Sequence, residues 1–220
     1  MHPLEKKLLK NGFEFVIGCD EVGRGALAGP VVAAAVVLPV TFFTSRLRQL
    51  WIKEVADSKE LTSLTRERLE QLILSESVAY GIGQVEAGII DSLNIHHATL
   101  SAMHVAISKV HTQLEMKKDS RVTTKAVVVV DGKFTVPGVP FKQHAIVNGD
   151  ATVLSIAAAS IVAKVYRDAL MKELAKQLPH YGFDRHKGYG TKLHQVCLQH
   201  YGMSPEHRRT FCQKFVGQIQ

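Results

Sequence analysis

Asp20 and Glu21 stand side by side after a short apolar run (Phe13, Phe15, Val16, Ile17), and Gly23-Arg24-Gly25 follows almost at once. Carboxylates at the end of a buried strand are costly to desolvate unless a positive charge meets them, and a divalent metal held by hard oxygens does so. Glycines on both sides of an arginine let a backbone approach a ligand closely and aim its N–H groups at an anion or a sugar hydroxyl. The segment from Gly18 to Pro39 therefore offers metal-binding and nucleotide-binding chemistry together, although an Asp-Glu pair before a glycine turn also occurs as a plain solvated loop. A third carboxylate, Asp131, ends the run Ala126-Val-Val-Val-Val130. Such a run describes a central strand buried on both faces, which delivers Asp131 to its C-terminal edge where it can lie beside Asp20. A simple Asp-Gly turn also satisfies the pair Asp131-Gly132.

These groups need elements to hold them. Residues 13–20 and 29–38 read as a hairpin with the acid pair and Arg24 at its tip, and residues 78–87 as a third strand despite Gly81 and Gly83, making an antiparallel meander. Residues 143–148 form a further short strand. Thr62 caps a helix over 63–76. Ser92 to Glu115 has apolar residues at helical spacing, and His97, His104 and His111 recur along it about 10 Å apart, too far for neighbours to share a metal. Ala151 to Leu178 reads as one long, mostly buried helix stopped by Pro179, with Asp150 at its start as an N-cap. Asp168, well down that helix, is a competing carboxylate expected to pair with Arg167 or Lys172. Neighbouring residues of a regular strand point to opposite faces. Asp20 and Glu21 thus reach one site together only if the strand bends at the turn; otherwise Glu21 acts through its backbone carbonyl or a water.

Composition narrows the function classes. At 220 residues and 46% hydrophobic, the chain can bury the core of one domain, and its formal charge of +7 favours a polyanionic partner. Three cysteines without a CxxC pair suit a reducing cytosol. The first residues lack the apolar core of a signal peptide, and Val31 to Leu38 is too short to span a bilayer, so a cytoplasmic protein is expected with no membrane partner. Residues 180–192, HYGFDRHKGYGTK, mix cations, aromatics and glycines in the manner of a nucleic-acid-binding edge.

Taken in order, GCDEVGRG (18–25), SIAAASIVAKVYRD (155–168) and HKGYGT (186–191) closely resemble the motifs of ribonuclease HII, the type 2 ribonuclease H family. The Asp57-Ser58-Lys59 segment, Asp131-Gly132, Gly149-Asp150 and SPEHRRTF (204–211) match as well, so the resemblance spans nearly the whole chain. It implies an α/β, ribonuclease H-like fold: a mixed five-stranded sheet flanked by helices, with a small helical C-terminal part. Residues 1–179 would form the catalytic domain, and 180–220 a substrate-binding extension packed on it. The resemblance assigns Asp20, Glu21, Asp131 and Asp150 as ligands of Mg²⁺ or Mn²⁺ in a two-metal site. It makes Lys59 a phosphate contact, packs Tyr189 against the nucleotide at the cleavage junction, and places the arginines of the tail near backbone phosphates. The backbone of Gly23-Arg24-Gly25 can hydrogen-bond the 2′-hydroxyl, which distinguishes RNA from DNA.

The implied activity is endonucleolytic: cutting the RNA strand of RNA–DNA hybrids, and cutting 5′ of single ribonucleotides in duplex DNA to leave 5′-phosphate and 3′-hydroxyl ends. The expected partners are those nucleic acids, met by a monomer. Three positions depart from the family pattern. Ala26 replaces proline and should soften the turn, Asn148 replaces lysine and removes a positive contact, and Tyr166 replaces threonine without chemical consequence. Two rival classes explain less. A DNA-specific nuclease or resolvase leaves the Gly-Arg-Gly turn and Tyr189 without a task, and a non-enzymatic basic module gains nothing from carboxylates that repel the phosphates it must hold.

Overall fold

The protein is described by a computed structural model over residues 3–43, 55, 62–117 and 125–216. Five strands, β1 (Phe15–Val22), β2 (Val31–Val37), β3 (Ala79–Val85), β4 (Ala126–Asp131) and β5 (Lys142–Ile146), form one sheet in the order β3-β2-β1-β4-β5. The first three make the expected antiparallel meander, and β4 and β5 add in parallel on the other side of β1. Parallel addition needs a crossover. Between β3 and β4 the chain passes through α3 (Ala87–Leu93) and α4 (Ile95–Lys117), after α1 (Pro3–Lys10) and α2 (Ser63–Glu76) earlier in the chain. Then come α5 (Gly149–Thr152), α6 (Leu154–Gln177), α7 (Phe183–His186), α8 (Lys192–Tyr201) and α9 (Arg209–Val216). This is the α/β architecture expected, a mixed five-stranded sheet with helices on both faces and a helical C-terminal part. Among the described residues no helix is long and apolar enough to cross a membrane.

The two faces of the sheet carry separate cores. Ile17, Cys19, Val128 and Val130 pack with Ala102, Ala106 and Val110 of α4 on one side. Val16, Val127, Val129 and Ile156 lie on the other, where Val32, Ala34 and Val36 also meet Ala158, Ile161 and Val162 of α6. Glycines set how closely the helices come. A Cβ on Gly81 or Gly83 would lie 2.2 or 2.1 Å from the carbonyl oxygens of Ala106 or Ala102, so β3 keeps its strand there because only glycine lets α4 sit against it. Gly18 does the same for α6, since its Cβ would lie 2.1 Å from the Ser155 carbonyl carbon.

The helix expected over 151–178 is broken. Val153 is extended (φ −130°, ψ 119°), separating α5 from α6, and Asp150 lies in the first turn of α5 rather than at the N-cap of the long helix. Val153, at the N-cap position of α6, has no hydroxyl or carboxylate to offer. A distant side chain supplies one: Glu5 of α1, fully buried, accepts the Ser155 N–H at 2.9 Å. Burial pushes the Glu5 carboxyl up from its ordinary range.

Candidate active site

The parallel register of β1 and β4 sets Gly18 opposite Val129 and Cys19 opposite Val130, so the next pair in sequence is Asp20 with Asp131. By the alternation of the strands both fall on the α6 face, with Val16 on β1 and Val127 and Val129 on β4. Asp20 is 5% exposed and Glu21 follows it on the opposite face, after Cys19. β1 does not bend at this point: it stays paired to β2 through Glu21 opposite Ala33 and Val22 opposite Val32. The regular pairing keeps the Cβ of Glu21 on the face opposite that of Asp20, while its carboxyl still lies near enough to Asp131 to feel that charge.

Each carboxylate has a local holder. Asp20 Oδ1 accepts the Glu21 N–H at 2.7 Å, Glu21 Oε1 accepts Arg24 Nη1 at 3.0 Å, and Asp131 Oδ1 accepts the Gly149 N–H at 2.6 Å. The last of these ties Asp150, the next residue, to the end of β4. Burial pushes the Asp20 carboxyl well above its usual range, and the Glu21 and Asp131 charges push the same way against a hydrogen bond from Ser160 of α6. Glu21 is raised too, by burial first, while Arg24 opposes the shift. Among the described residues no three His, Cys, Asp or Glu side chains converge closely enough to hold one cation. The donor set still fits a hard divalent ion, because Asp20 is a buried acid whose charged neighbours are themselves carboxylates, and all the ligand atoms on offer are oxygens.

Beside the acids, the loop that leaves β1 is gripped from behind by two buried arginines that donate to backbone carbonyls. Arg167 of α6 donates to the carbonyls of Pro30 (2.9 Å), Ala28 (3.1 Å) and Lys187 (2.9 Å). Arg208 donates to Arg24 (2.8 Å) and twice to Gly29 (3.1 and 2.9 Å). Burial lowers both from the usual guanidinium range, Arg208 to about 10. The 186–191 loop joins the same assembly. Ala26 and Tyr189 form an antiparallel bridge, the Leu27 N–H donates to the Gly188 carbonyl at 2.8 Å, and the Arg167 guanidinium lies 5.4 Å over the Tyr189 ring. Ala26 does not leave the turn soft: it is fully buried, and its N–H, which proline lacks, donates to the Gly23 carbonyl at 3.3 Å.

The two glycines around Arg24 differ. Gly23 has φ +91° and a Cβ there would meet Arg167 Nε at 2.2 Å, so the fold itself demands glycine. Gly25 has an ordinary φ and nothing within 4 Å of a Cβ. Asn148 lies in the left-handed region (φ 55°, ψ 40°), which asparagine tolerates better than lysine does, and that accounts for the residue locally.

The structure brings Asp20, Glu21, Asp131 and Asp150 to one edge of the sheet, with Gly23, Arg24, Gly25 and Tyr189 adjoining. Lys59, with Asp57 and Ser58, lies outside the described residues. Two expectations are corrected. Asp168 pairs with Lys164 at 2.6 Å, one helical turn before it, instead of with Arg167 or Lys172; Arg167 is turned inward to carbonyls, and Lys172 reaches Glu67. Arg208 is buried in the loop and is no phosphate contact, whereas Arg209 is exposed. The stripe of histidines serves packing in part: His104 Nδ1 meets the Pro137 carbonyl at 3.0 Å and His111 packs edge-on to Phe141. Sequence reasoning missed Arg167 and Arg208 as loop holders, since an arginine in a basic chain gives no sign of being buried.

Comparisons with known proteins agree on the family and the fold. A profile of the family described as Ribonuclease HII matches residues 17–215. The chain is 45% identical to Ribonuclease HII of Caldanaerobacter subterraneus subsp. tengcongensis over 96% of its own length and 80% of that protein. It is 46% identical to that of Geotalea daltonii over 91% and 83%. Among solved structures, ribonuclease H2 from Pyrococcus horikoshii OT3 superposes with a TM-score of 0.67 at 23% identity, covering 91% of this chain and 96% of that one. Bst-RNase HIII in complex with Mn²⁺ superposes with a TM-score of 0.70 at 16% identity, covering 97% and 73%. At those identities the two structures speak for the fold alone.

Proposed function

The chain belongs to the ribonuclease HII family, and from that premise we propose that it cuts the RNA strand of RNA–DNA hybrids and also cuts 5′ of single ribonucleotides in duplex DNA, as a monomer. The coarse activity follows from membership: this is a divalent-metal-dependent nuclease, a phosphodiester hydrolase acting on RNA–DNA hybrids. The finer substrate reading rests on one observation. The carboxylate edge of β1 and β4 adjoins a loop, residues 23–29, whose backbone is fixed by Arg208 and bridged to Tyr189.

Asp20, Asp131 and Asp150 are proposed as side-chain ligands, with Glu21 contributing through its carbonyl or a water. Two Mg²⁺ or Mn²⁺ ions held there would supply an activated water and neutralise charge gathering at phosphorus and on the leaving 3′-oxygen. The protein's own groups do the rest. Arg24 pairs with Glu21 at 3.0 Å and opposes the rise that burial gives its carboxyl beside Asp20 and Asp131. Gly149, by donating to Asp131, holds the start of α5 and with it Asp150 against the end of β4. The backbone at Gly23, Arg24 and Gly25 is proposed to hydrogen-bond the 2′-hydroxyl, with the Tyr189 ring against the adjoining sugar and Lys59 on a phosphate. The extension beyond residue 179 is proposed to bind substrate as part of the same body, since Tyr181, Phe183 and Cys197 pack with Ala28 and Met171.

The test is cleavage of an end-labelled DNA duplex with one ribonucleotide against an all-DNA duplex, with Mg²⁺ and with chelator. Metal-dependent cutting 5′ of the ribonucleotide, with the all-DNA control intact, supports the reading. Cutting of both duplexes points instead to a DNA nuclease, and binding without cutting to a plain binding module.

A further inference from the structure

Behind the Tyr189 loop lie three buried histidines for which the hydrolysis itself has no use: His186, His194 and His207, 8%, 0% and 2% exposed. Their hydrogen bonds fix which nitrogen carries each proton. The Ser204 N–H donates to His207 Nδ1 at 3.0 Å, and the Ser204 hydroxyl lies 2.8 Å from the same atom, so Nδ1 is an acceptor and the proton of a neutral ring sits on Nε2. His207 Nε2 is 3.0 Å from His194 Nε2, which must then accept. That leaves the His194 proton on Nδ1, 3.0 Å from the Tyr189 carbonyl. The contact between the two Nε2 atoms works only if one imidazole donates and the other accepts, so the rings must be neutral and in opposite tautomers. Burial supports neutrality, lowering both rings to about 4. His186, stacked on His194 at 4.3 Å, accepts the Gly188 N–H on Nδ1 at 3.2 Å and faces the Tyr181 carbonyl with Nε2 at 2.8 Å.

We propose that His207, acting through His194, is a positioning residue for Tyr189: a directed chain of hydrogen bonds runs from Ser204 to the Tyr189 carbonyl and sets the place of that ring. The neighbouring residue completes the device. Arg208 holds Arg24 and Gly29, so the dipeptide His207-Arg208 fixes both loops of the site at once, one through each side chain. This inference rests on Tyr189 being a substrate contact, and its test separates the two.

Long-range ¹⁵N NMR of the metal-free protein at pH 7 reads the tautomers directly. His207 is expected as Nε2–H and His194 as Nδ1–H; the reverse assignment, or a protonated ring, overturns the chain. In cleavage of the ribonucleotide-containing duplex, His207→Leu is expected to lower kcat/KM by about 100-fold, the scale of a 1 Å misplacement. His207→Gln, which keeps one acceptor and one donor, should recover most of that loss. Combined with Tyr189→Ala, His207→Leu should cost nothing more, whereas losses that multiply overturn the positioning role. Full activity of Tyr189→Ala alone overturns the reading of Tyr189 and the catalytic purpose of the chain, and is told apart from failure of the chain by the tautomers.

Discussion

Substituting alanine for each of the two glycines around Arg24 separates what the fold needs from what the substrate needs. In Gly23→Ala the new Cβ meets Arg167 Nε at 2.2 Å, Cδ at 2.7 Å and Cζ at 2.9 Å, on a backbone with φ +91°. The guanidinium must move, and it holds Pro30, Ala28 and Lys187 by three bonds. Losing one bond from a charged donor, plus the strain of a left-handed residue with a side chain, amounts to about 2.5–6 kcal/mol. For a chain of this length that lowers Tm on the order of 10 °C. In Gly25→Ala the Cβ meets nothing within 4 Å and φ is ordinary, so stability should hold within about 0.5 kcal/mol. Cleavage, in contrast, should fall by about 100-fold if the sugar lies against the backbone as proposed, because a methyl group on the loop tip would displace it. Thermal melts and single-turnover cleavage of a ribonucleotide-containing duplex read the two effects. Equal melting losses in both variants would refute the steric reasoning, and wild-type cleavage by Gly25→Ala would remove the tip from substrate recognition.

Asp131→Asn should abolish cleavage while gel-shift affinity for the duplex stays close to wild type; normal turnover removes Asp131 from the mechanism. Asp20→Asn should make the chelated protein more stable than wild type at pH 8, with the gap closing toward acid. The folded Asp20 carboxyl is raised by burial, so its contribution to stability is present below the unfolded carboxylate pKa and lost as the pH rises through the folded value. Urea midpoints across pH 4 to 8 check it, and a pH-independent gap contradicts it. Affinity should drop about tenfold between roughly 50 and 200 mM salt for every two phosphates neutralised, so a flat binding isotherm series removes the basic surface from substrate binding.

Much of the scaffold was legible because hydrophobic pattern and turn residues agree locally. The valine run 126–130 forms β4, Thr62 caps the helix Ser63–Glu76 through its side chain, and the carboxylates at 20 and 131 meet because a buried parallel pair aligns them. What escaped depends on partners far away in the chain. Nothing local to Arg167 or Arg208 distinguishes a guanidinium filled with carbonyls from one in solvent. Val153 interrupts a run whose apolar spacing continues through it, and the cap that starts α6 comes from Glu5, 150 residues earlier. Asp168 had cations at several spacings, and which one it takes is decided by where the others are drawn: Arg167 to carbonyls, Lys172 to Glu67. The length of β1 mattered most for the site, since two further paired residues settle which face Glu21 takes.

The hydrogen bond between Arg208 and the Arg24 carbonyl spans 184 residues, and this orders events during synthesis. A chain emerges at about 5–20 residues per second, N-terminal part first, so the whole sheet and α6 leave the ribosome before Arg208 exists as a holder of the loop. During that interval Arg167 of α6 can already hold the carbonyls of Ala28 and Pro30, while those of Arg24 and Gly29 still lack Arg208. A chain that ends before Arg208 therefore lacks the side chain that ties the carbonyls of Arg24 and Gly29 to the C-terminal part.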